Sequence, residues 1–292
     1  MLKLYVRKFG DFMSNTFSDE YIKLKQTRTL MNQDIIKNKK RMIWEYFRSF
    51  NDVNITNLEQ NISKNTFLFK APLFLIHGSN MMSCGNEDID EIYVDEGFAA
   101  NKKNIRVIKH QSTHETLHSL CRKQGIRFGR PITKDNEYLK GINEAATQVF
   151  ADDTENDELG PEDDYLYFIK NIMRIMKNAV GPSLLANQYL NNDISFEQKF
   201  NEITDGKFDD FAFIINNIYI LSKNRHYKTI STDEEEMLIA HEKIILDFTS
   251  SFIRKVAITD PTIYQRIKED FFNQEFLTRL NIDELNNGFG TK

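Results

Sequence analysis

The sequence predicts an α+β protein that is predominantly helical, with a small sheet in its first half followed by a helical carboxy-terminal part. Three observations point to this class. Strand-like patterning is confined to two short stretches, 66–76 and 91–95. In several other stretches apolar residues recur at three- and four-residue intervals. The carboxy-terminal third shows neither strand alternation nor an internal repeat. The expected division is 1–155 for the sheet-containing part and 156–292 for the helical part, with one continuous domain as the alternative.

Composition narrows the function classes. Of 292 residues, 40% are hydrophobic, with 23 Phe and 11 Tyr, which is enough material for a sizeable core. A net charge of -5 indicates neither a nucleic-acid footprint nor a polybasic membrane surface, so neither partner is expected. Only Cys84 and Cys121 are present, which argues against a disulfide scaffold and for a reducing compartment, with cytoplasm the default. The apolar run after Met1 is broken by Arg7, Lys8 and Asp11 before a signal-peptide core can form. No stretch of about 18 uncharged apolar residues suggests a membrane span.

The elements follow in order. Between residues 34 and 50, Ile36, Ile43, Phe47 and Phe50 form one helical stripe, with Lys37, Lys39, Lys40 and Arg41 expected mainly on the solvated side. The aromatic stretch 66–76 reads as a strand broken at Pro72, and 91–95 as a second strand closed by Gly97. A helix led in by 105–108 is expected to run to about Lys123 and stop at Gly125, with Leu117, Leu120 and Cys121 packing its buried side.

That helix carries His114-Glu115-Thr116-Leu117-His118. Positions four apart share a helical face about 6 Å apart, so both imidazoles can reach one metal ion. Zinc suits neutral histidine nitrogen at ~2.0–2.1 Å. Glu115 points roughly 100° round the helix, so it need not ligate and can take a proton from water at the metal. His110 repeats the four-residue interval, but eight residues span ~12 Å, too far for His110 and His118 to share one ion. It is expected to line a cleft or to support the ligands.

After a basic loop, 125–141, comes a second helix, 141–151, whose apolar positions Ile142, Ala145, Ala146, Val149 and Phe150 leave Glu144 on another face with Thr147 and Ala151. A carboxylate in so apolar a helix is costly to bury without a cation. The loop itself, with Arg127, Arg130, Lys134 and Lys140, reads as solvated, a substrate carboxylate being the alternative ligand.

Together, His114-Glu-Thr-Leu-His118 and Ile142-Asn143-Glu144-Ala-Ala-Thr147 resemble the gluzincin metallopeptidases, whose third zinc ligand is a glutamate on a downstream helix. More narrowly, they resemble bacterial proteins with the pattern His-Glu-x-x-His followed by Ile-Asn-Glu-Gly-x-Thr, and Asn143-Glu144 is similar to the Asn-Glu pair of thermolysin-like enzymes. The likeness covers about residues 105–151. It implies a zincin-like catalytic part, zinc (Zn2+) at His114, His118 and Glu144, and Glu115 as general base. Ala145 stands where the pattern has Gly. Gln148 stands where thermolysin-like enzymes have Asp, which leaves the partner of the ligand histidines open. The resemblance also implies that segment 90–95 serves as an edge for an extended substrate. It further implies a later Tyr or His that donates to the oxyanion, with Tyr189 the candidate and His226 and Tyr227 behind it.

The acidic run 152–158 and 162–164 lacks a calcium-loop pattern and reads as an exposed linker and helix amino terminus. Helices are expected over 165–179, ended by Gly181-Pro182, then from 184–190, 208–221, 232–256 and 261–287, the 232 start carrying a capping-box signal. His241-Glu242 lacks a second histidine and should bind no metal. The expected function is hydrolysis of a peptide or protein substrate by metal-activated water. The alternatives are a catalytically silent binding or regulatory module with a structural zinc, and hydrolysis of a non-peptide amide.

Overall fold

The computed structural model describes residues 26–73, 83–86, 91–122, 125–160, 164–271 and 274–280. The amino-terminal run from Met1, the Cys121 side chain and the end of the last expected helix lie outside the described residues. Among the described residues the chain is mostly helical, with one small four-stranded sheet and a separate two-stranded hairpin. No helix there is long and apolar enough to cross a membrane.

Strand β1 (Thr29–Leu30) leads to helix α1 (Asp34–Arg48) and short α2 (Thr56–Ile62). Then come β2 (Phe67–Ala71), β3 (Ser83–Asn86) and β4 (Glu91–Asp95). β2 ends just before Pro72, which cannot donate to a ladder. The sheet order is β1-β2-β4-β3, with β2 and β4 parallel and the outer pairs antiparallel. β4 is therefore an interior strand, and among the described residues β3 forms the edge beside it. The expectation that segment 90–95 offers a free edge is corrected, because both sides of its backbone are already paired.

Short α3 (Glu96–Ala100) and a 3-10 turn deliver the chain into α4 (Ile105–Arg122), which carries the histidine motif. α4 is sunk among β4, α1 and the next long helix, and its residues 112, 113, 114, 116, 117, 118 and 120 are all buried. Its last turn is held by Asn61, whose Nδ2 donates to the Leu120 carbonyl at 2.9 Å. A small hairpin, β5 (Ile126–Arg127) and β6 (Arg130–Pro131), and a 3-10 turn lead to α5 (Lys140–Glu155). α5 stops at Asn156, which adopts the left-handed conformation that asparagine tolerates (φ 52°).

The remainder is helical: α6 (Tyr167–Val180), α7 (Pro182–Leu190), α8 (Ser195–Thr204), α9 (Phe208–Tyr227), α10 (Thr232–Thr259), α11 (Ile263–Asp270) and α12 (Glu275–Thr278). Pro182 opens α7 at a position where its missing N–H is harmless. Ser231 and Glu234 close a capping box on α10. One hydrophobic cluster runs from Ile43 through α4, α5 and α6 to Leu280, so helices on both sides of residue 155 share a core.

Two readings of charge are corrected by burial. Lys39 and Lys40 of α1 are buried rather than solvated: Lys39 pairs with Glu155, and Lys40 Nζ donates to the carbonyls of Ile62 (3.3 Å) and Lys64 (2.5 Å). The acidic run is no exposed linker either. Asp152 and Asp153 lie inside α5; Asp152 faces Lys170 at 3.0 Å, and Asp153 meets Arg174 at 2.6 Å and Lys177 at 2.9 Å. Low-dielectric surroundings make such charges tolerable only in pairs.

Candidate metal centre

α4 and α5 cross so that three sequence-predicted residues converge. His118 Nε2 lies 2.9 Å from His114 Nε2 and 3.0 Å from Glu144 Oε2, and His114 Nε2 lies 3.3 Å from the same oxygen. All three are buried, with side chains 6%, 4% and 9% exposed for His114, His118 and Glu144. Two ring nitrogens and a carboxylate oxygen thus point into one small volume. A proton on one nitrogen satisfies one edge of that triangle, whereas a cation satisfies all three. Bonds of ~2.0–2.1 Å at tetrahedral angles set ligand atoms about 3.3 Å apart, close to what is found here. His114, His118 and Glu144 could hold a metal ion, and they are the one such group among the described residues. His241 belongs to no such group.

The electrostatics follow from the same triangle. Burial disfavours the His114 imidazolium, but the Glu144 carboxylate outweighs it and holds that pKa above its ordinary value. Burial alone would raise Glu144; His118 and His114 more than reverse this and hold it well below the usual carboxylate range.

The partner that the sequence left open is Gln148. Its Oε1 lies 2.9 Å from His114 Nδ1, and its Nε2 donates to Asp152 Oδ1 at 2.8 Å. His110 is buried on the same side, 3.5 Å from Asp152 and 3.2 Å from Asp157. It therefore supports the acidic end of α5, three contacts away from His114 by way of Asp152 and Gln148.

Glu115 is partly exposed and stays out of the ligand cluster. Its charge acts on His114 and also on Lys223 and Tyr227 of α9. α9 comes this close because Gly141, at the start of α5, has no side chain: a Cβ there would lie 2.6 Å from Asn216 Cα. The Gly141 N–H instead donates to Asn216 Oδ1 at 3.0 Å.

Tyr189 is corrected as an oxyanion donor. It is fully buried against Phe150, and its hydroxyl shares a 2.9 Å hydrogen bond with Thr147 Oγ1, so it belongs to the core. Tyr227, half-buried, is within electrostatic reach of Glu115: burial raises its pKa to about 12, with Asp164 and Glu115 acting in the same direction. Tyr165 packs on Tyr227, His226 and Tyr219, and a cavity of about 660 Å³ opens beside it, lined by Tyr165, His226, Phe276 and Arg279 among others.

No protein-family model, curated protein or solved structure matches the chain. His114, His118 and Glu144 are therefore recognised as a candidate metal centre by their own geometry.

Proposed function

We propose that the protein is a zinc-dependent metallopeptidase with a zincin-like catalytic part, working in the cytoplasm on peptide or protein substrates. The observation that carries this reading is the meeting of His114 and His118, one helical turn apart, with Glu144 from a separate helix, while Glu115 stands beside them outside the cluster. Two neutral imidazoles and one carboxylate are a zinc donor set, and three protein ligands leave a position for water. When bound, the ion supplies Lewis acidity and makes water nucleophilic near neutral pH. Glu115 accepts the proton and can hand it to the leaving amine. Because Glu144 adds negative charge to the donor set, the work left to Glu115 is larger than in an all-histidine site. Gln148 keeps the His114 ring turned so that Nε2 faces the ligand triangle.

One observation favours the second reading, a silent module with a structural zinc: the ligand side chains are nearly closed off from solvent. A closed structural site, however, takes a fourth protein ligand, and among the described residues no further His, Cys, Asp or Glu joins the three. Metal analysis followed by digestion of a peptide library separates the readings. The metallopeptidase retains about one zinc per chain and cleaves, and Glu115→Gln binds zinc without cleaving. Activity indifferent to chelator or to Glu115→Gln would sink it, and retained zinc with no cleavage supports the silent module.

A further inference from the structure

Two lysines in the surroundings of the ligand triangle have no counter-ion among the described residues. Lys140 opens α5 one turn before Glu144, and residues four apart share a helical face. Lys223 projects from α9, the helix that Gly141 admits against α5. The Lys223 Nζ lies 5.7 Å and the Lys140 Nζ 5.9 Å from the centre of one buried ring, that of Tyr219. Neither lysine has an ion pair among the described residues. Other cations on these elements are paired: Arg127 with Glu137, Arg130 with Glu197, and Lys170 with Asp152 and Asp164.

The charges facing Lys223 are Lys140 and Lys228 on one side of the balance and Glu144 and Glu115 on the other. Burial, then Lys140, holds the Lys223 pKa below its ordinary value, so this ammonium is poorly compensated as it stands. Once an ion takes up the charge of Glu144, Glu115 is left against Lys140, Lys223 and Lys228. The half-buried pair Lys140 and Lys223 attracts an anion. Four residues of helix rise about 6 Å, the span of roughly two extended residues, so an anion held there lies within a few residues of the bond being cut.

We propose that Lys140 and Lys223 bind a carboxylate of the substrate, either the α-carboxylate of its last residue or an acidic side chain. This rests on the peptidase reading for its substrate class, and it makes the site selective for anionic peptides. Of the cations in segment 125–141 the two arginines are paired and Lys134 is exposed, so the carboxylate reading of the sequence falls to the half-buried Lys140.

The test uses full-length, zinc-loaded Glu115→Gln and a pool of N-acetyl tripeptides in three forms: free acid, carboxamide, and carboxamide with Asp at the last position. Filter retention read by mass spectrometry gives relative binding. The free acid or the Asp form should be retained about tenfold or more over the plain carboxamide, the scale of a charge-assisted contact. Which of the two is retained identifies the source of the carboxylate. Lys140→Met and Lys223→Met should each remove most of that preference at unchanged melting temperature, and Lys223→Arg should keep much of it. Equal retention of all three forms, no retention of any, or a preference that survives both methionine variants would overturn the proposal. Wild-type cleavage separates it from the underlying reading. Cleavage that ignores carboxylates leaves the peptidase standing without this arm; carboxylate-selective binding without cleavage does the reverse.

Discussion

His114 Nδ1 and Gln148 Oε1 meet at 2.9 Å, on the ring edge turned away from Glu144. The other end of the same amide faces Asp152 at 2.8 Å, and a carboxylate facing Lys170 can only accept. The amide therefore has one orientation, His114 must donate from Nδ1, and its Nε2 lone pair is left for the ligand triangle. Gln148→Leu removes the acceptor, and Asp152→Asn frees the amide to turn over. Each should weaken metal affinity about 10–100-fold, measured by chelator competition, while nitrogen NMR of the metal-free protein should show His114 losing its single tautomer.

Metal removal should be visible as stability. A ligand bound only by the folded state adds about 4 kcal/mol at a thousandfold excess over its dissociation constant. Chelator-treated protein should melt lower and recover with zinc. Glu144→Ala and His118→Ala should abolish the recovery, and Glu115→Gln should retain it, as differential scanning calorimetry would report.

The parts of this site that could be read from the sequence are those that depend on one helix at a time. Four-residue spacing turns His114 and His118 into a pair by geometry alone, and the cost of a lone carboxylate in an apolar helix marks Glu144. The capping box at Ser231 and the stop before Pro72 are local in the same sense. What was not legible depends on distant partners. Lys39 meets Glu155 and Asp153 meets Lys177 across many residues of chain, so these charges carry no local sign of being buried. The extent of β4 was readable and its two neighbours were not, which is why it looked like an edge. Nothing in a helix pattern says that the Tyr189 hydroxyl meets Thr147. Lys223 had no sequence signal at all.

Asp153 should govern acid stability. Burial would raise its pKa, but Lys177 and Arg174 reverse this and hold it below the usual range. A carboxyl whose folded pKa is depressed adds stability at every pH above its unfolded value of about 3.9, and the gain fades as pH falls through the folded value. Wild-type unfolding free energy from urea titrations should therefore drop below about pH 4 more steeply than that of Asp153→Asn. At neutral pH, Asp153→Ala leaves buried Arg174 and Lys177 short of a partner and should cost about 3–5 kcal/mol.

Gly141→Ala tests the approach of α9. The added methyl would fall 2.6 Å from Asn216 Cα and 2.9 Å from its nitrogen, backbone atoms that cannot rotate away. The loss should be about 1–3 kcal/mol or more, read from the melting temperature. Because α9 carries Lys223 and Tyr227, turnover should fall further than stability.

The carboxylates at the end of α5 have a consequence for modularity. Every proposed metal ligand lies before residue 145, so a fragment ending near residue 155 would carry the complete donor set. It would also strand Asp152 and Asp153, whose neutralising side chains arrive only at positions 170, 174 and 177. The half that carries His114, His118 and Glu144 cannot be grafted or recombined as a cassette, since its charge balance is written in the helix that follows.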